Sequence, residues 1–150
     1  MQLILWRHAE AEDGLGKADT DRELTKKGRK QADRMAAWLR DHIDKDWRIL
    51  VSPAKRTLQT AEPLGFAFDE EAAVGLAATV KTVLGAADWP GGDEDVVVVG
   101  HQPTLGEVAT VLLGGDEGGV SIKKGATWWF VAKKGEAVLQ TVMSPDQVEE

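Results

Sequence analysis

Cysteine is absent from the 150-residue chain. Its absence excludes disulfides, thiolate metal sites and cysteine nucleophiles, and favours a cytoplasmic home. Long apolar runs are missing too, and no uncharged stretch reaches the ~20 apolar residues of a membrane-spanning helix. The opening MQLILWRHAEAE meets Arg7 and His8 after a short apolar run with no basic region before it. A signal peptide of the usual form is therefore not expected. There is no surplus of positive charge: 25 acidic against 18 basic residues leave a formal charge of −7. General nucleic-acid binding, which wants a basic surface, is disfavoured. Repeats, low-complexity segments and Pro/Gly/Ser linkers are also lacking, so residues 1–150 read as one domain, long enough to bury a real core.

An acidic balance does not forbid an anionic substrate, but positive charge must then be gathered locally. Residues 17–34 carry Lys17, Arg22, Lys26, Lys27, Arg29, Lys30 and Arg34 against Asp19, Asp21, Glu23 and Asp33. Most of these cations read as a solvated helix face; Arg22 is the exception, for a reason given below.

Periodicity supplies the elements. Residues 2–6 (QLILW) are a short buried strand, and 10–21 a polar, Gly-containing loop. Thr25 reads as the N-cap of a helix reaching about His42, with Ala32, Met35, Ala36, Trp38 and Leu39 as its apolar stripe. Residues 48–51 are a second strand. Ser52-Pro53 then reads as N-cap and first helical residue of a helix carrying Arg56, Thr60 and Leu64, stopped by Gly65. A further helix is expected over 72–84 and a turn at 89–92. Four consecutive valines, 96–99, have the composition of a central strand covered on both faces. A helix to Leu113 follows His101, and residues 126–132 and 137–143 alternate as a hairpin around Lys133-Lys134-Gly135-Glu136. Strands alternating with helices predict an α/β/α sandwich with a mostly parallel central sheet and a closing C-terminal hairpin.

Three strand ends carry candidate chemistry: Arg7 and His8 after the first, Ser52 and Arg56 after the second, His101 after the valine strand. Ligands of open parallel sheets bind beyond the carboxyl ends of the strands, so residues far apart in sequence converge on one crevice. A phosphoryl group in transfer spreads negative charge over three oxygens and asks for several fixed cationic donors. The planar fork of arginine meets two oxygens at once, which makes Arg7 and Arg56 the expected clamps. His8 is the candidate nucleophile, kept neutral by the nearby arginines and oriented by a backbone carbonyl on its other ring nitrogen. A His8–His101 metal pair is the competing reading, but flanking guanidiniums repel a cation; no metal and no other cofactor is expected. Trp128-Trp129 reads as a strand pair with one ring in the core. Gly14-Leu15-Gly16 lacks the Gly-Lys-Ser/Thr ending of a P-loop and reads as a flexible loop.

Arg7-His8, Arg22-x-Leu24-Thr25-x-x-Gly28, Ser52-Pro53-x-x-Arg56-x-x-Gln59-Thr60, Gly100-His101-x-Pro103 and the late Met143-Ser144-Pro145 together resemble the histidine phosphatase superfamily, and within it the small SixA-type branch. The resemblance runs from residue 2 to about residue 145. It implies a phosphoglycerate mutase-like fold and adds Arg22 as a third phosphate contact and His101 as a further oxygen donor. Two departures stand out. Ala9 follows His8 where many members have glycine. Gln102 follows His101, so the acid of phytase-like members is missing. Glu70 and Glu71 lie where mutase-like members carry a glutamate, but no surrounding motif matches, and they read as exposed loop acids. An alkoxide leaving group needs a placed acid, whereas the nitrogen of phosphohistidine is protonated before it departs. The interval from Arg56 to His101 also leaves no room for a cap insertion.

The expected protein is thus a monomeric, metal-independent phosphatase with His8, Arg7, Arg56 and His101 as catalytic residues. Arg7, Arg22, Arg56 and His101 are the expected phosphate contacts, a place that phosphate or sulfate would also fill. Its substrate is phosphohistidine on a protein partner, with small phosphate esters as the same-fold alternative. A non-catalytic phosphate-binding module is the alternative from another class. No nucleic-acid or membrane partner is expected.

Overall fold

The computed structural model describes residues 1–148. Strands β1 (Gln2–Arg7), β2 (Arg48–Val51), β3 (Asp69–Glu70), β4 (Val96–Gly100), β5 (Thr127–Lys133) and β6 (Glu136–Met143) form one sheet in the order β3-β2-β4-β1-β5-β6. The first four in that order run parallel, and β5 and β6 close the edge as an antiparallel hairpin. The hairpin turns through Lys134 at φ 51° and Gly135 at φ 79°, two successive positive values that match the twist of the flanking strands. Helices α1 (Lys26–Arg40), α2 (Lys55–Ala61), α3 (Val80–Ala86) and α4 (Thr104–Leu112) complete the chain. Among the described residues no helix is long and apolar enough to cross a membrane.

The valine run is continuous because both faces of β4 are covered. Val96 and Val98 pack with Leu3, Leu5 and Leu50 under α3 and α4, through Val83, Leu105 and Val108. Val97 and Val99 pack with Ile4, Trp6, Ile49 and Val51 under α1, through Met35 and Leu39. Three layers result, as the alternation of strands and helices predicts. Trp128 and Phe130 join the first face and Trp129 the second, so neither tryptophan forms a free platform.

Thr25 caps α1 as expected, its side chain accepting from Gly28 N at 3.0 Å. Gly28 has a second role: a Cβ there would lie 1.9 Å from the Glu10 carbonyl oxygen. The first turn of α1 is thereby laid directly on the loop that leaves His8, and Thr25 N donates to the same carbonyl at 3.0 Å.

Three local expectations are corrected. Ser52-Pro53 does not start α2; the cap is Ala54, with no side-chain bond, and the Ser52 hydroxyl accepts from Ala54 N at 3.4 Å while meeting His101 at 2.7 Å. The expected helix over 72–84 is broken: residues 72–74 make one 3-10 turn, Gly75 ends it in an extended conformation, and α3 restarts at a Thr79 capping box. β3 was not expected at all. Its two residues are exposed and polar, an edge strand held by backbone pairing to β2 rather than by burial.

Candidate active site

All the parallel strands end on one side of the sheet, and the chemistry sits there. β1 delivers Arg7 and His8, β2 leads into Ser52 and through α2 to Arg56, and β4 ends at Gly100 with His101 next. His8 and Gly100 are tied directly, His8 N donating to Gly100 O at 3.1 Å. The ring centroids of His8 and His101 lie 5.4 Å apart. Arg7, His8, Arg22, Arg56 and His101 all line one cavity of about 400 Å³. Every expected site residue is thus brought together. Glu70 and Glu71 are not: neither lines the cavity. A larger hollow of about 790 Å³ lies at the opposite strand ends, beside Arg48 and Trp89, with no histidine in its wall.

His8 is buried and its Nδ1 lies 2.7 Å from the Ala9 carbonyl oxygen. A carbonyl only accepts, so Nδ1 carries the proton and Nε2 keeps the lone pair. Burial drives the His8 pKa from 6.5 down to about 3; the Ala9 bond opposes this, and the positive charges of His101, Arg56 and Arg7 add to it. Burial likewise lowers His101 to about 4, aided by Arg56 and, more weakly, by Arg22 and Arg7, against Asp19. Both imidazoles are neutral at pH 7. His101 Nε2 meets the Ser52 hydroxyl at 2.7 Å, while its Nδ1 is buried and has no hydrogen-bond partner.

The arginines are held from behind. Arg7 Nη1 donates to the Ile122 carbonyl at 2.8 Å. Arg56, only 3% exposed, donates from Nη1 to the Asp19 carbonyl at 2.6 Å and from Nη2 to Asp19 Oδ2 at 3.1 Å. Arg22 Nε pairs with Asp19 Oδ1 at 2.9 Å, and its Nη1 donates to Glu12 O at 3.1 Å. Arg7 Nε and Arg56 Nε remain buried without a partner. Three unsatisfied buried N–H donors or donor-capable nitrogens on the walls of one cavity are costly unless an anion is to meet them. His8 and His101 are the only imidazoles there, and no group of three or more His, Asp or Glu side chains among the described residues is placed to hold a metal ion.

Asp19 is a residue that sequence reading did not assign, and the bond of Ser52 to His101 is a role that it did not give. Asp19 bridges to Arg56, 37 positions away, which no local pattern signals; its spacing of three from Arg22 was visible but ordinary. Ser52 was seen, both as a cap and as a candidate at the end of the second strand.

The depressed histidines carry a pH prediction. Unfolded imidazoles take up protons below about 6.5 while the folded ones resist to about 3 and 4. The folded state binds fewer protons across that window, so stability is full above pH 6.5 and falls as pH drops toward 4. Melting temperature measured from pH 7.5 to 4 is expected to decline less steeply in His101→Asn than in the unsubstituted chain, as that variant loses one of the two sites. Equal slopes would assign the decline to carboxylates instead.

A three-layer α/β protein with two neutral histidines and three arginines around one cavity beyond the strand ends defines a phosphoryl-binding class. The sequence pattern of the histidine phosphatase superfamily (branch 1) matches residues 3–75. The Phosphohistidine phosphatase SixA homolog of Haemophilus influenzae is 33% identical over 130 residues, covering 76% of this chain and 78% of that protein. The structure of the protein histidine phosphatase SixA complexed with tungstate superposes with a TM-score of 0.84 at 26% identity, covering 99% of this chain and all of that one. Human 6-phosphofructo-2-kinase/fructose-2,6-bisphosphatase 4 is 38% identical over 69 residues, 45% of this chain but 15% of that protein. The chain belongs to the histidine phosphatase superfamily.

Proposed function

We propose that this chain is a metal-independent phosphohistidine phosphatase of the cytoplasm, a single domain without a cap insertion, acting through His8 on a phosphorylated histidine of a protein partner. The observation that carries the reading is the His8 tautomer. Nδ1–H is committed to Ala9 O, so the free lone pair on Nε2 is the nucleophile, neutral at physiological pH. Arg7, Arg22, Arg56 and His101 are the phosphate contacts. With the Ser52 hydroxyl donating to His101 Nε2, His101 Nδ1 carries a proton for a phosphoryl oxygen.

In the first half-reaction, the P–N bond of protonated phosphohistidine breaks as His8 Nε2 bonds to phosphorus. The bonding pair leaves with the departing imidazole nitrogen. In the second, water attacks phosphorus, the bond to His8 Nε2 breaks with its pair returning to Nε2, and the proton of water leaves with the released phosphate. The arginines stay fixed throughout and neutralise the three phosphoryl oxygens without reorganising. No carboxylic acid is required, in keeping with the exposed positions of Glu70 at the end of β3 and the absence of an acid after His101.

Two likenesses support the substrate class: the name of the Haemophilus protein, and a tetrahedral oxyanion held by the SixA structure. A small-ester reading draws on the bisphosphatase named among the relatives. Rates of phosphate release from a phosphohistidine peptide and from 4-nitrophenyl phosphate separate them. The peptide is expected to be the better substrate by kcat/KM, by about tenfold or more. The reverse order would move the substrate to small esters.

A further inference from the structure

Asp19 is out of place in a site built for an anion. Its carboxylate lies between two arginines of the cavity, Oδ2 on Arg56 at 3.1 Å and Oδ1 on Arg22 at 2.9 Å, and its own carbonyl takes a second Arg56 donor. Desolvation works to raise its pKa, but the bonds and charges of Arg56 and Arg22 outweigh it and hold the carboxyl below its usual range. At neutral pH Asp19 is a fixed negative charge, not an acid.

Its depth decides what that charge does. The Asp19 side chain is 56% exposed, whereas Arg56 beneath it is 3% exposed and His8 9%. His8 is therefore at the floor and Asp19 at the rim. In-line displacement puts the leaving group opposite the nucleophile, on the solvent side of phosphorus. The leaving group must pass the rim, where Asp13 and Lys124 also line the cavity.

We propose that Asp19 is the specificity-determining residue of the site, a rim carboxylate that selects by the charge of the leaving group. The proposal rests on the phosphatase reading above and goes beyond it. A phosphohistidine ring carries its extra proton, and hence a positive charge, until the P–N bond breaks. The bond pair then passes to that nitrogen and a neutral imidazole departs. A nearby carboxylate stabilises the protonated, reactive ring. A phosphate ester works in the opposite sense: the P–O pair passes to oxygen and negative charge grows on the leaving atom as it moves past the same carboxylate. One residue thus favours the first class and penalises the second, while its other face keeps Arg56 and Arg22 in register.

The test is a ratio, which a general loss of clamp geometry leaves alone. kcat/KM is measured on N-phosphoimidazole and on 4-nitrophenyl phosphate for the unsubstituted chain, Asp19→Asn and Asp19→Glu, each checked for a native melt. Asp19→Asn is expected to lower the N-phosphoimidazole to nitrophenyl ratio by about tenfold, the effect of one charge across ~6 Å at an effective dielectric constant of about 40. Asp19→Glu, which keeps the charge, is expected to hold the ratio within about threefold of the unsubstituted value. An unchanged ratio in Asp19→Asn overturns the proposal, even if both rates fall, because Asp19 then only positions the arginines. An unsubstituted chain inert on both compounds while binding phosphate overturns the phosphatase reading and this one with it.

Discussion

His8→Ala is expected to abolish turnover while sparing the anion site. Phosphate release from a phosphohistidine peptide should fall by a factor on the order of 10⁴–10⁶, the scale on which deleting a nucleophile removes covalent catalysis. Phosphate affinity, measured by calorimetry, should change by less than about tenfold, since Arg7, Arg22 and Arg56 are each held by partners other than His8. A coupled observation sharpens the test. Rapid alkaline quench of the unsubstituted chain with substrate should trap an alkali-stable, acid-labile phosphoryl group on the protein, and His8→Ala should trap none. Retained turnover in His8→Ala would remove His8 from the chemistry.

Arg56 separates activity from stability. Arg56→Met is expected to lower kcat/KM by about 10³, comparable to the loss of one preorganised oxyanion donor or an arginine finger. Arg56→Lys should lose at least about 10², because an ammonium cannot hold the Asp19 carbonyl, the Asp19 carboxylate and a phosphoryl oxygen from one rigid plane. Stability should respond differently. The guanidinium is almost wholly buried, burial depresses its pKa despite the help of Asp19, and its Nε has no partner. A buried charge of this kind contributes little net stability, and a methionine of similar length fills the space. The melting temperature of Arg56→Met without phosphate should stay within about 3 °C of the unsubstituted chain, or exceed it, whereas added phosphate should stabilise only the latter. A large loss of melting temperature in the phosphate-free variant would assign Arg56 a structural role instead.

These expectations rest on residues that differ in how openly the sequence declares them. Strands β1, β2 and β4 were legible because burial on both faces writes itself as unbroken apolar runs such as VVVV, and the histidines and arginines directly follow those runs. The hairpin was legible from Lys134-Gly135, where the twist of paired strands demands positive φ. Segments whose structure comes from backbone pairing were opaque. β3 has two exposed acids and no apolar signal; it exists because Leu50 and Val51 present free backbone groups at the edge of the sheet. The broken helix after residue 72 failed for a related reason. Its composition suits a helix, but Gly75 packs 3.6 Å from Pro53, as measured from its would-be Cβ, and the chain turns there.

Local pattern thus determined the layered architecture, the positions of the principal strands along the chain, and the identities of His8, Arg7, Arg56 and His101 as one candidate constellation. Those inferences needed only periodicity, burial and the rule that parallel strands open onto a common crevice, whereas Arg22 was added by the family resemblance. What only the tertiary structure decided is how each group is presented. The His8 proton is assigned by a carbonyl 2.7 Å away, the Ser52 hydroxyl is turned from helix capping to His101, and Asp19 is fastened between Arg22 and Arg56. Hydrogen bonds and ion pairs of this kind join atoms that are neighbours in space after the sheet closes. Their energies depend on distances of a few tenths of an ångström and on exclusion of water, neither of which any spacing along the chain encodes.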